Sequence, residues 1–77
     1  MNQADQFAEW NKLCEEHEAA RDAYFHAFAN VNKKFAAIGQ GTSAINPTGG
    51  ELSEFERTWR AWDEVQRRMD AFVRQHA

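Results

Sequence analysis

Cys14 and His17 are the two residues that could bind a metal ion together. They lie three positions apart, and in a helix this spacing places both side chains on one face. Thiolate and imidazole are both zinc ligands, so a second copy of the chain would complete a tetrahedral Cys2His2 set. The sequence contains no second pair of this kind. We therefore favour a small buried cysteine beside a hydrogen-bonded histidine, and no cofactor is predicted.

Trp59 and Trp62 lie among arginines and could bind single-stranded nucleic acid, because such sites use ring faces and guanidinium groups. The arginines of this segment are Arg57, Arg60, Arg67, Arg68 and Arg74. The spacing favours another interpretation, since both tryptophans follow an apolar helical stripe and three of the arginines repeat every seven residues on a different face. A net charge of −3 and a pI near 5.5 also argue against a nucleic-acid or anionic-membrane binder.

No other arrangement of residues indicates catalysis. The glycine-rich segment lacks the Lys followed by Ser or Thr that a phosphate-binding loop requires, and no strand pattern precedes it. Carboxylate di-iron sites in helical bundles need a Glu three residues before a His, and Cys14, Ala23 and Val73 occupy those positions here. No serine or cysteine has a base and an orienting acid at a suggestive spacing. The sequence therefore predicts a protein that is not an enzyme.

The positions of the helix-breaking residues predict the elements that carry these side chains. All four glycines and the single proline lie between Gly39 and Gly50, which predicts two helices and one loop. The expected fold is all-α, a two-helix antiparallel hairpin in one domain over residues 1–77. We predict a long first helix over about 3–38, a loop over 39–52 and a shorter second helix over about 53–75.

The first predicted helix has signals at both ends and one apolar stripe. Asn2, with Asp5 three residues later, predicts its cap, and Gly39 predicts a left-handed stop. The stripe advances in steps of three and four, which keep side chains on one helical face. Its members are Phe7, Trp10, Cys14, His17, Arg21, Tyr24, Phe28, Val31, Phe35 and Ile38.

Two capping boxes compete for the start of the second helix. One is Ser53 with Glu56, and the other is Thr48 with Glu51. We prefer Ser53, because the Gly-Gly pair that follows Thr48 would cost about 1 kcal/mol per glycine relative to Ala in a first turn. The second stripe consists of Leu52, Phe55, Trp59, Trp62, Gln66, Met69, Val73 and His76.

The two predicted helices differ in length, about 52 Å against about 35 Å at 1.5 Å per residue. If the second helix starts opposite Ile38, it ends near Glu15. Phe7, Trp10 and Leu13 then have no partner within the chain, so we expect another molecule to cover them.

Two helices alone leave both apolar stripes half uncovered, which predicts a homodimer. Burying a Trp or Phe is worth about 1.5–3 kcal/mol relative to water, and the chain has six Phe and three Trp. Two hairpins related by a twofold axis would form a four-helix bundle. The predicted interface consists of Phe7, Trp10, Leu13, Cys14, His17, Arg21 and Tyr24. The alternatives are a compact monomer in which Ile45 covers the end of the stripe, and an obligate complex with a different protein.

His17 and Arg21 interrupt the first stripe and call for polar partners. Two interpretations remain open: a polar layer that fixes the register between subunits, and an Arg21 side chain that reaches the edge to pair with Glu18 or Asp22.

These observations predict a small non-enzymatic protein that self-associates through aromatic helix faces and binds another protein as a regulator, adaptor or inhibitor. A metal-binding bundle with Cys14 and His17 is one alternative, and a weak single-stranded nucleic-acid binder with Trp59 and Trp62 is another. The longest uncharged stretch is rich in Gly, Ser and Asn rather than apolar residues, so no membrane span is predicted. With a single cysteine, we expect a cytoplasmic protein.

Overall fold

The computed structural model describes residues 3–76. Two α-helices account for most of them: α1 spans Gln3–Gly39, and α2 spans Gly49–His76. Residues 40–48 form the loop between the helices. The predicted cap of the first helix, Asn2, lies outside the described residues.

The two helices run antiparallel along one another. Lys34, late in α1, forms an ion pair with Glu51 in the first turn of α2. Trp10, early in α1, lies against Phe72 near the end of α2, with 5.6 Å between the ring centroids. The all-α hairpin predicted from the sequence is therefore confirmed.

α1 ends in a Schellman motif in which Gly41, rather than Gly39, is the left-handed residue. The Gly41 N–H donates to the carbonyl of Ile38 at 3.0 Å, and the Thr42 N–H donates to the carbonyl of Ala37 at 3.0 Å. Gly41 has a φ of 74°, a conformation that glycine adopts without steric cost. The prediction of a left-handed Gly39 is wrong, because Gly39 forms the last helical residue.

α2 begins at Gly49, so the predicted start at Ser53 is wrong. Thr48 and Glu51 form the capping box: the Glu51 N–H donates to Thr48 Oγ1 at 3.1 Å, and the Thr48 N–H donates to the Glu51 carboxylate at 3.0 Å. The hydrogen bond from Lys34 and the one from the Thr48 backbone lower the pKa of Glu51. These contacts outweigh the cost of two glycines in the first turn.

The register of the hairpin brings the end of α2 closer to the start of α1 than the sequence predicted. Phe72 covers Trp10, and Leu13 is buried. The prediction that Trp10 and Leu13 lack a partner within the chain is therefore wrong. Phe7, in contrast, is 66% exposed, as expected for a residue that α2 does not cover.

Few of the side chains between the helices are buried from solvent. Among the described residues, the buried ones are Leu13, Ala27, Val31, Thr58 and Val65, and we name this set the closed seam. The Thr58 hydroxyl lies within hydrogen-bonding distance of two carbonyls of its own helix, at 2.9 and 3.0 Å. Its burial therefore leaves no polar group unsatisfied.

The hairpin is a rod with a large surface. Its Cα extents are 58 × 19 × 14 Å, and its radius of gyration is 17.4 Å, against about 11.5 Å for a compact domain of 77 residues. The accessible surface is 5803 Å², about 1,000 Å² more than expected for a compact monomer of this mass. A single chain thus exposes an excess comparable to the roughly 800 Å² that one partner buries in a standard protein interface.

Candidate protein interface

One side of the hairpin carries two rows of residues with a seven-residue step. A seven-residue step keeps side chains on nearly the same face of a helix. On α1 the row is Phe7, Cys14, Arg21, Phe28 and Phe35, with Phe25 beside it. On α2 the row is Leu52, Trp59, Gln66 and Val73. We name these ten residues the open aromatic face.

Ring contacts show that both rows lie on the same side of the hairpin. Phe25 of α1 lies 5.8 Å from Trp62 of α2, and Phe28 lies 6.2 Å from Phe55, measured between ring centroids. Tyr24 stands between them, 5.1 Å from Trp62 and 5.5 Å from Phe55. The five rings form a continuous cluster that bridges the helices beneath the open aromatic face.

Most of the exposed large apolar side chains among residues 3–76 lie on this face. Seven of its side chains are large, apolar and exposed, from 42% for Phe28 to 66% for Phe7. Among the described residues, the other exposed large apolar side chain is Ile45 in the loop, at 68%. Ile45 therefore does not cover the end of the stripe, as the compact-monomer alternative required. Large exposed apolar patches on soluble proteins are typical of interaction sites.

The structure divides the predicted interface residues among three environments. Those on the open aromatic face are Phe7, Cys14 and Arg21. Leu13 lies in the closed seam. Those that are half-buried at the border and contact α2 are Trp10, His17 and Tyr24. All the predicted interface residues thus lie in the first two thirds of α1, whereas the open aromatic face extends along both helices.

The interface prediction omitted seven residues that the open aromatic face contains. They are Phe25, Phe28, Phe35, Leu52, Trp59, Gln66 and Val73. The seven-residue step from Phe7 to Phe35 and from Leu52 to Val73 is a signal that could have identified six of them. Phe25 lies off that step, and its exposure depends on how the helices pack.

His17 connects the two helices by a hydrogen bond. Trp62 Nε1 donates to His17 Nε2 at 3.0 Å, and the ring centroids are 6.0 Å apart. Because Nε2 is the acceptor, a neutral His17 ring carries its proton on Nδ1. This geometry agrees with the hydrogen-bonded histidine that the sequence favoured.

The metal hypothesis gains no further ligands from the fold. No group of three or more His, Cys, Asp or Glu side chains converges within residues 3–76. Cys14 is a free, half-buried thiol, and Nε2 of His17 already accepts a hydrogen bond from Trp62. A zinc site would need Nδ1 of His17 and ligands from another molecule, so it stays a prediction.

Each arginine of α2 forms an ion pair, which bears on the nucleic-acid hypothesis. The pairs are Arg57 with Glu54, Arg60 with Glu56, Arg67 with Asp63, Arg68 with Glu16 and Arg74 with Asp70. Phosphate binding would have to compete with these carboxylates. The arrangement favours arginines that stabilise the hairpin surface over arginines that bind a nucleic acid.

Arg21 is the charged residue of the open aromatic face on α1. Its guanidinium pairs with Asp22 at 3.3 Å, and its side chain is 42% exposed. This contact is one of the two interpretations offered by the sequence, in which Arg21 reaches the edge of the stripe and pairs with Glu18 or Asp22. Arg21 still lies in the middle of the row from Phe7 to Phe35, where a covering partner would have to meet its charge.

No protein-family model, no curated protein and no solved structure matches the chain. None of the helices formed by the described residues combines the length and the apolarity needed to cross a membrane.

Proposed function

We propose that this protein is a small, non-enzymatic interaction module that pairs with a second copy of itself through the open aromatic face. The observation that carries the proposal is the concentration of seven exposed large apolar side chains on one side of a two-helix rod. Two rods joined by these faces form a four-helix bundle, in which each ring row packs against the partner.

The area of the face suits a stable dimer. Aromatic side chains bury about 150–250 Å² each. At the observed exposures, the seven apolar residues present on the order of 700 Å² per hairpin. Two copies would together bury about 1,400 Å², within the range of about 1,200–2,000 Å² found for specific protein interfaces.

The small size of the closed seam supports the same conclusion. A single core in a chain of this length supplies only about 3–5 kcal/mol, and small domains commonly add stability by oligomerisation. In the described chain, the buried hydrophobic residues are Leu13, Ala27, Val31 and Val65. A second copy would convert the ring cluster around Tyr24 into a buried core.

The dimer would act by presenting its outer surfaces to another protein as a regulator, adaptor or inhibitor. In this arrangement the loop stays accessible. A cytoplasmic location, predicted from the single cysteine, belongs to the same proposal.

The proposal is tested by placing one charge on the face. Phe35→Glu and Trp59→Glu change residues that are 51% and 48% exposed, so the hairpin should keep its helical circular dichroism. Ile45→Glu is the matched control, because it makes an apolar-to-acid change at an exposed loop position off the face. Each protein is measured by sedimentation velocity at micromolar concentration.

We expect the wild type and Ile45→Glu to sediment at about twice the 8.9 kDa chain mass, and both face variants to sediment as single chains. A wild-type protein that sediments as a single chain would contradict the proposal. Equal dissociation of the Ile45→Glu control would also contradict it, because the effect would then not belong to the face.

A further inference from the structure

Two twofold arrangements would bring the open aromatic faces of two hairpins together. With the axis parallel to the helices, α1 lies against α2 of the partner, and both loops lie at the same end of the bundle. With the axis across the helices, α1 lies against α1 of the partner, and the loops lie at opposite ends. Both arrangements cover the same rings, so the charged residues on and beside the face decide between them.

Arg21 separates the two arrangements. It is the third of five residues in the α1 row and lies at the middle of Gln3–Gly39. With the axis across the helices, the two Arg21 side chains would meet near the axis in a desolvated apolar surface, and like charges in an interface are costly. With the axis parallel to the helices, each Arg21 would instead meet α2 of the partner at the same height along the rod.

Asp63 is the acid at that height. Trp62 contacts both His17 and Tyr24, so the following residue on α2 lies level with Arg21. Asp63 is four residues after Trp59 and three before Gln66, which places it beside the α2 row. Its side chain is 38% exposed, less than the equivalent acids Glu56 and Asp70 at 60% and 61%.

The charged residues beside the open aromatic face also favour the arrangement with the axis parallel to the helices. Glu18 and Asp22 are exposed on the α1 flank. With the axis across the helices, these acids would lie close to their own copies near the middle of α1. With the axis parallel to the helices, they would lie near Arg60 and Arg67 of the partner, whose side chains are 71% and 80% exposed.

We infer that the two copies align with both loops at the same end, with each α1 against the partner's α2 and Arg21 paired with the partner's Asp63. This inference rests on the proposed self-association and specifies its geometry. The twofold axis produces two such pairs, one on each side of the aromatic core.

A distance between the two loops tests the alignment. Spin labels are attached at Asn46→Cys in a Cys14→Ser background, and sedimentation first establishes that the labelled protein is a dimer. Neighbouring helices in a bundle lie about 10 Å apart, so we expect a label-to-label distance below about 30 Å. A distance close to the 58 Å length of the rod would overturn the alignment while leaving the dimer intact. Failure of the wild-type protein to dimerise would instead count against the proposed function.

Charge exchange tests the ion pair. Arg21→Asp and Asp63→Arg should each raise the dimer dissociation constant on the order of tenfold, because each places like charges together. The double variant Arg21→Asp/Asp63→Arg should restore it to within a few-fold of the wild type. Asp70→Arg is the matched control, since Asp70 makes the same kind of pair with Arg74 but lies two turns away from the height of Arg21.

Combining Arg21→Asp with Asp70→Arg should leave the dimer dissociation constant as high as in Arg21→Asp alone. An Arg21→Asp/Asp63→Arg double variant that dimerises no better than its single variants would overturn the pairing. Equal rescue by Asp70→Arg would overturn it as well, because the effect would then reflect net charge rather than position.

Discussion

The closed seam and the open aromatic face are built from opposite kinds of side chain. The seam contains one leucine, one alanine, two valines and a threonine, whereas the face is dominated by phenylalanine and tryptophan. Small residues let the two helices approach closely, and the large rings lie half-buried at the border of the seam or exposed on the face. An aromatic-rich sequence therefore does not imply an aromatic core within the single chain.

The ring cluster around Tyr24 lies between these two regions and joins them. Its rings touch across the helices, yet Phe25 and Phe28 stay about half exposed. In the single hairpin the cluster is one layer thick. A second hairpin would add a facing layer, so the cluster belongs to the fold of the chain and to the proposed interface at once.

The largest expected effect is on the seam. Leu13→Ala should lower the free energy of unfolding by about 2–3 kcal/mol, because it leaves a cavity between the helices. Denaturant unfolding followed by circular dichroism at a fixed protein concentration measures it. Phe7→Ala is the comparison on the face, and we expect it to weaken dimerisation while leaving the helical content unchanged. A larger loss of helix in Phe7→Ala than in Leu13→Ala would invert the assignment of the two regions.

A smaller effect is expected at the border between the regions. Trp62→Phe keeps a ring in the cluster but removes the donor to His17, and a hydrogen bond of this kind contributes about 1 kcal/mol. Thermal unfolding at one concentration compares it with Trp59→Phe, which removes an indole from the face alone. Equal stability of Trp62→Phe and the wild type would mean that the His17 hydrogen bond does not hold the helices together.

A comparable effect is expected away from both regions, at the start of α2. Thr48→Ala should cost about 1 kcal/mol as a lost helix cap, whereas Ser53→Ala should cost almost nothing, since Ser53 lies inside the helix. Chemical denaturation of both variants measures the difference. A larger loss in Ser53→Ala would return the helix start to the position predicted from the sequence.

Glu51 gives the same cap a defined pH dependence. Its pKa in the folded chain is lowered, first by the hydrogen bond from Lys34 and then by the Thr48 backbone. Because the pKa of Glu51 is lower in the folded chain than its ordinary value of 4.5, the ionised carboxylate stabilises the fold at pH values above 4.5. This stabilisation is lost as the pH falls through the pKa of Glu51 in the folded chain. Glu51→Gln should therefore flatten the acid side of the stability curve measured between pH 6 and pH 3.

The sequence was sufficient for the two helices and the loop, because every glycine and the proline lie in one segment. It did not determine where α2 begins. Intrinsic propensity disfavours the Gly-Gly pair after Thr48 by about 1 kcal/mol per residue. The capping box of Thr48 and Glu51 nevertheless forms there, and Glu51 also pairs with Lys34, which is distant in sequence. The start of α2 also lies opposite Lys34 rather than opposite Ile38. Together these two errors left Trp10 and Leu13 without the partner that Phe72 and α2 provide.

The candidate site was only partly predictable for a related reason. The stripe of α1 is broad enough to offer two overlapping surfaces, one through Leu13 and Val31 and one through Phe7 and Phe28. Periodicity shows that both are apolar, but it does not show which one packs against α2. That choice depends on the crossing geometry of the helices, which places the small residues in the seam and the rings outside.

Contacts between protons of two different copies are the sharpest test of self-association through the open aromatic face. A mixture of isotope-labelled and unlabelled chains, studied by filtered nuclear Overhauser spectroscopy, reports only protons that approach each other across a dimer. We predict intermolecular signals from the rings of Phe28 and Trp59, and none from Ile45 in the loop. Ring signals that are only intramolecular, in a species of 8.9 kDa, would contradict the account.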